Sequence, residues 1–204
     1  SPDADINNNP FNPIIGSRSF GDDREMVARN SMIYMKSLQD NRLLATAKHF
    51  PGHGNTDTDS HLALPVINQT KSELDSLELY PFRKMIDAGV GSVMVAHLNV
   101  PALDSSTAHP STLSAAIVSD LLKKRMGFNG LVFTDALNMK GIAIGNTPGV
   151  VDKNALLAGN DVLLYSEDVP KAIEQIHIAV QNCDITQEEI DARVKKVLMA
   201  KYWC

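Results

Sequence analysis

An α/β fold of the (β/α)8 barrel kind is what this sequence predicts, and two observations carry it. Short, continuously apolar runs alternate with longer amphipathic stretches, the order expected of parallel strands joined by helices. The C-terminal end of run after run then carries ionisable residues, which is where such barrels assemble their active sites. A doubly wound sheet would gather its ligands at one switch point instead, and neither G-x-G-x-x-G nor G-x-x-x-x-G-K-[ST] occurs. About five strand–helix units can be counted where a barrel needs eight. The expectation is therefore an incomplete barrel, residues 1–204 forming the C-terminal part of one barrel domain. The missing N-terminal strands would come from another segment or a further domain.

"DADIN", beginning at Asp3, reads as the first strand, with Asp5 and Asn7 to Asn9 shaping the turn after it. Asp23–Leu38 places Met26, Val27, Ile33, Tyr34 and Leu38 near one face and predicts a helix. Leu43–Ala47 is the second strand, with Lys48 and His49 directly after it. Thr70-Lys71-Ser72-Glu73 is a capping box that opens a helix over Lys71–Ala88. Ser92–Ala96, followed by His97, and Leu131–Thr134, followed by Asp135, are strands on either side of a helix at Thr112–Arg125. Asp161–Tyr165 is the last strand, ahead of Ser166, Glu167 and Asp168. Helices at Val169–Asn182 and Gln187–Tyr202 close the chain, the second behind a capping box at Thr186. Gly89, Gly127 and Gly130 punctuate helix-to-strand turns.

The bulk chemistry excludes several functions. A net charge of -5 with 44% hydrophobic residues describes a globular domain without the clustered Lys and Arg that phosphate binding needs, so no nucleic-acid partner is expected. Lys123-Lys124-Arg125 suits the C-terminal end of a helix dipole. Cys183 and Cys204 make no disulfide framework and are read as reduced, non-catalytic thiols. No apolar run approaches the roughly 20 residues of a membrane span.

"KHFPGHGNTDTDSH", from Lys48 to His61, concentrates the chemistry. His49 and His53 have the i, i+4 spacing of a helical zinc motif, yet Pro51 and Gly52 between them prevent a helix, and Phe50 stands where that motif has Glu. No metal is expected. Taken singly, His53 and His109 read as structural. The whole segment is longer than an ordinary connection, and such loops are often functional. Asp59 and His61 are two apart, so a turn can pair carboxylate with imidazole, orient the ring and keep a proton available near neutrality. Asp135 adds a carboxylate at another strand's end.

"KHFPGHGNTDTDSHLALPV" resembles the family 3 glycoside hydrolases, in their β-N-acetylglucosaminidase branch. "NPIIGSRSFGDD", "VAHLNVPALD", "FTDALNMKGI", "LLAGNDVLL" and "VKKVLMAKYW" extend the likeness in order along nearly the whole chain. The resemblance implies Asp135 as nucleophile, His61 as general acid/base and Asp59 as its orienting partner. It implies Lys48, His49 and Arg18 as sugar contacts, with a further sugar-binding aspartate expected upstream of "DADINNNP", where this sequence has no counterpart. His97 is a further substrate-site candidate. The competing readings are a helix N-cap for Asp135, a surface ion pair for Arg18 and a hydrogen bond within the barrel for His97.

The implied reaction removes terminal β-linked N-acetylglucosamine from N-acetylglucosaminides, muropeptides of peptidoglycan recycling above all, without any cofactor. Histidine suits the acid role because its unperturbed pKa of roughly 6.5 needs no burial to work near neutrality. It is also neutral after donating and does not repel an anionic substrate. Lys48 is the cation expected to keep Asp135 ionised. The alternatives are a family 3 β-glucosidase on other glycans, catalysis assisted by the substrate's acetamido group, and an inactive sugar-binding fragment. A cytoplasmic location is expected, with the periplasm as alternative because the chain begins with Ser1.

Overall fold

The computed structural model describes the chain except residues 8–11, 13, 55, 57–63, 107, 108 and 144–146. Three parallel strands, β1 (Thr46–Phe50), β2 (Ser92–Val95) and β3 (Leu131–Thr134), form a sheet in chain order. Single parallel bridges extend it on both sides, Asp3 to Lys48 before β1 and Val162 to Phe133 beyond β3. Five chain segments thus lie side by side, and those that carry candidate site residues deliver them at one end. This is an α/β structure with a parallel sheet.

The apolar periodicity of the first helix is realised as α1 (Arg24–Asp40). Asp23 caps it, its carboxylate accepting the Met26 N–H at 2.7 Å. The Thr70 capping box forms with Glu73 as expected and opens α2 (Lys71–Glu73). A π-helical turn over Leu74–Glu78 follows, then α3 (Leu79–Asp87). Pro81 has no N–H to give to Leu77, and the wider turn lies directly ahead of it. α1 packs on α3, and α3 on β1, where the rings of Phe50 and Phe82 meet edge to face at 5.3 Å. Phe50, Phe82, Val93, Val95, Ile117 and Leu122 are fully buried in the main core.

Beyond β3 come α4 (Lys140–Ala143), α5 (Val150–Ala158), α6 (Val169–Gln181) and α7 (Gln187–Trp203). Asp168 caps α6 through the Lys171 N–H, and the Thr186 capping box with Glu189 opens α7. Cys183 and Cys204 are free and exposed. Among the described residues, no helix is long and apolar enough to cross a membrane.

Several expected elements differ in extent. The second strand starts at Thr46, not Leu43, because the chain leaves α1 through a left-handed Arg42 (φ 59°) that turns Leu43 out to 57% exposure. Lys48 and His49 therefore lie within β1 and not after it. Asp161–Tyr165 is not a strand. Only Val162 pairs with Phe133, Asp161 spends its carboxylate on the Val132 N–H and on Lys123 and Lys196, and Tyr165 adopts φ 51°. The Thr112–Arg125 helix divides into a 3-10 turn, Ser111–Leu113, and a π-helical stretch, Ala116–Arg125. The turn is pulled aside because the Ser111 and Thr112 hydroxyls both donate to the Ala96 carbonyl at the end of β2. "DADIN" contributes one bridge, at Asp3, where a strand was expected. Helix α4 overlaps the helical turn that the N-cap reading of Asp135 had offered, and α5 had no counterpart in the sequence reading; α5 has a glycine, Gly149, at its N-cap instead of a Ser, Thr, Asp or Asn.

Candidate active site

The strand ends meet around a cavity of about 220 Å³ lined by Ile14, Arg18, Lys48, His49, His53, Met94 and Asp135. Arg18, Lys48, His49 and Asp135, four of the residues singled out in the sequence, are thus brought together. His53 joins them.

The first segment supplies the frame. Ala4 donates its N–H to the Lys48 carbonyl at 2.7 Å, which sets Asp3 and Asp5 against β1. Two residues apart on an extended chain, they share a face. Asp5 has no solvent exposure. It accepts the His49 N–H on both oxygens (3.1 and 3.2 Å), the His49 Nδ1–H on Oδ2 (2.8 Å) and the His53 N–H on Oδ1 (2.7 Å). Burial pushes this carboxyl up, but the His49 charge, its hydrogen bond and the His53 contacts outweigh that and hold it below the usual range. Asp5 was expected to shape a turn; it is instead the hub that fixes both histidines.

Asp3 lies beside two cations, with Arg18 Nε at 3.5 Å and Lys48 Nζ at 3.6 Å. Its own burial raises its pKa, against the opposing charges of His49, Lys48 and Arg18. Lys48 therefore forms its ion pair with Asp3, where Asp135 had been the expected partner. Arg18 is further fixed by donating Nε and Nη2 to the Ile14 carbonyl at 3.1 and 2.7 Å. Asp3, Asp5 and His49 place ligand atoms within 4.8 Å of one another, a set that could hold a metal ion. Arg18 and Lys48 already match its negative charge, and the His49 and His53 Nδ1 atoms are engaged by Asp5 and Thr56 at 2.8 Å. The chemistry of this donor set suits hydroxyl groups better than a dication.

The "HFPGHG" turn is shaped from beneath. The peptide bonds Lys48–His49 and Phe50–Pro51 are cis. Gly52 has φ +134°, and a Cβ there would strike Glu78; one on Gly54 would strike the Ile6 carbonyl. Asn12 donates to the His53 and Gly54 carbonyls at 3.2 and 3.0 Å. Burial lowers the pKa of His53 despite the nearby Asp5 charge, so this ring is neutral at pH 7. Glu78 is buried beside the turn, accepting from Gln69 Nε2 at 3.1 Å. Its burial pushes its pKa up to about 7; the Gln69 bond opposes that and the Asp5 charge adds to it.

Asp135 follows β3, its N–H on the Val95 carbonyl at 2.8 Å and its Oδ1 accepting the Ala136 N–H at 2.8 Å. It is half-buried and does not cap α4, which begins at Lys140. His97 stands behind it, fully buried, with Nδ1 on Thr112 Oγ1 at 2.6 Å and Nε2 on the Ala136 carbonyl at 2.9 Å. It does not line the cavity. His109 hydrogen-bonds the Leu113 carbonyl at 3.1 Å, as a structural histidine should. Asp59 and His61 lie outside the described residues. Asp3, Asp5 and Asn12 are the residues that sequence reasoning missed as parts of the site. The D-x-D spacing at the end of an extended run was the available signal.

With this geometry in hand, comparison with known proteins gives a consistent result. Residues 1–200 match the glycosyl hydrolase family 3 N terminal domain. "Beta-hexosaminidase A" of Pseudoalteromonas piscicida is 30% identical over 220 residues, covering 98% of this chain and 37% of that protein. The "Beta-N-acetylglucosaminidase/beta-glucosidase" of Cellulomonas fimi is 32% identical over 209 residues, again covering 98% of this chain and 37% of that protein. Among solved structures, a family 3 β-N-acetylglucosaminidase from Paenibacillus sp. str. FPU-7 superposes with a TM-score of 0.94 at 41% identity, over all of this chain and 39% of that one. The chain spans well under half the length of these relatives. It belongs to glycosyl hydrolase family 3 and corresponds to that family's N-terminal domain.

Proposed function

We propose that this chain carries the sugar-binding and nucleophilic face of a retaining glycosidase that releases terminal β-linked N-acetylglucosamine. The observation that carries the reading is the single cavity shared by a carboxylate from the end of β3, two cations and two histidines. At about 220 Å³ it is smaller than the roughly 300–1,000 Å³ of sites for drug-sized ligands and suits one sugar ring. The hexosaminidase and acetylglucosaminidase names of the relatives support the choice of an amino sugar.

In this reading Asp135 attacks the anomeric carbon as the glycosidic C–O bond breaks, and the His61 imidazolium gives its proton to the departing oxygen. Water then attacks the same carbon, its proton passes to His61, and the Asp135 carboxylate is released, so configuration is retained. Asp59 orients His61. Lys48, His49 and Arg18 hold sugar hydroxyls, on an electrostatic frame set by Asp3 and Asp5. Muropeptides fit as natural substrates, since their carboxylates are not repelled by an acid that is neutral after donation. The remaining strands of an eight-stranded barrel would be contributed by another segment of the polypeptide or by a further domain.

The test is covalent trapping. A 5-fluoro N-acetylglucosaminyl fluoride should leave a sugar-sized mass increment on Asp135 of the intact polypeptide, and Asp135→Asn should lower turnover by about 10⁴-fold or more. Near-wild-type turnover in that variant, or turnover without an adduct, would refute the assignment, the latter favouring assistance by the acetamido group. Rates on aryl glucosides beside aryl N-acetylglucosaminides decide between the two activities named for the Cellulomonas fimi protein. His61→Ala should slow poor leaving groups far more than good ones.

A further inference from the structure

We infer that His97 is a positioning residue for the nucleophile, acting through the Ala136 carbonyl and not through the sugar. This rests on the reading of Asp135 as nucleophile and extends it to the group that aims it.

The peptide units around Asp135 are anchored in succession. The Asp135 N–H is held by the Val95 carbonyl at 2.8 Å and the Ala136 N–H by Asp135 Oδ1 at 2.8 Å. The next unit is held at both ends: the Leu137 N–H lies on the Leu164 carbonyl at 2.9 Å, and the Ala136 carbonyl on His97 Nε2 at 2.9 Å. A carbonyl can only accept, so Nε2 carries a hydrogen. The other nitrogen is fixed as well, Nδ1 meeting Thr112 Oγ1 at 2.6 Å. Thr112 is tied in turn to the Ala96 carbonyl at 2.7 Å, so the ring links the end of β2 to the turn after β3. His97 and Thr112 are both fully buried.

Removing the Nε2 donor frees the Ala136–Leu137 unit to rotate and leaves a half-buried carbonyl without that partner. The Ala136 N–H that holds Oδ1 then loses its fixed direction, and with it the Asp135 carboxylate. The adjoining oxygen, Oδ2, accepts no hydrogen bond among the described residues, so its approach to the anomeric carbon depends on how Oδ1 is held.

Side-chain length separates this role from simple packing. A glutamine places its amide nitrogen near the Nε2 position of histidine, and an asparagine places it near Nδ1. In the intact polypeptide, His97→Gln should keep the rate of glycosyl-enzyme formation within about fivefold of wild type. His97→Asn and His97→Ala should lose about 10- to 100-fold in that step, the scale of a misaimed reacting group. KM for an aryl N-acetylglucosaminide should change less than threefold. Gln and Asn variants with matched thermal midpoints exclude unfolding as the cause. Equal rates for Gln and Asn, a glutamine variant as slow as alanine, or a loss confined to KM would overturn the role. If Asp135→Asn retains turnover, the nucleophile reading and this inference fall together. An inactive Asp135→Asn beside an unimpaired His97→Asn removes this inference alone.

Discussion

Around Asp5 three donors converge on a carboxylate that water does not reach, and their arrangement decides what a substitution there would do. Asparagine keeps the shape but turns an amide N–H₂ toward N–H groups that need an acceptor. Breaking a buried charge pair in this way costs about 3 kcal/mol or more, so Asp5→Asn should lower the urea midpoint of unfolding clearly; an unmoved midpoint would strip Asp5 of its role as hub. The pH dependence has a defined sign. Because the folded carboxyl titrates below its unfolded value, its contribution is present above the usual aspartate pKa and is lost as pH falls through the lower folded value. Sequence alone identified the cavity's cations and Asp135 but not this aspartate, since a carboxylate used as an internal acceptor has the same spelling as one in a turn. The same holds for His97, whose place at a strand end suited either a sugar contact or an internal hydrogen bond.

The π-helical turn Leu74–Glu78 matters at the level of the element because it ends on Glu78, buried beside Gly52 with an up-shifted carboxyl. An acid whose folded pKa stands near 7 against about 4.5 unfolded binds its proton more tightly in the folded state. Its contribution to stability is therefore full below about pH 4.5 and is lost, by about 3 kcal/mol, as pH rises through 7. Glu78→Gln should flatten that fall between pH 5 and 8.5 in thermal melts, and a wild-type-like slope in the variant would contradict it. Helix starts were legible because caps are local chemistry: Asp168, Thr70 and Thr186 bond within their own first turns. The start of β1 was not, because it is set by the pairing of Thr46 with Ser92, a residue distant in sequence.

Taken whole, the described sheet has an edge at each side, each marked by a single bridge, and its later helices show apolar side chains to solvent. Ile173 on α6 and Leu198, Met199 and Tyr202 on α7 are exposed by 60% or more. Such surface promotes association when nothing covers it. The 204-residue chain by itself is expected to bind a hydrophobic dye, to sediment partly as oligomers and to turn over aryl N-acetylglucosaminides far more slowly than a longer polypeptide containing it. Monomeric behaviour with full activity would show that no further strands are needed. The α/β class with a parallel sheet was readable from alternating runs, whereas the single bridges at either side, Asp3 to Lys48 and Val162 to Phe133, were not, because no run of residues specifies how far a strand pairs. The bonds from Asp5 to His49 and His53 span 44 and 48 positions along the chain. Contacts so distant in sequence stabilise the chain only after loop-closure entropy has been lost, whereas helix contacts are local. During refolding, ordering of the cavity around His49 and His53 should therefore lag behind the recovery of helical signal, and a ligand able to hold that early segment against β1 would act as a folding template.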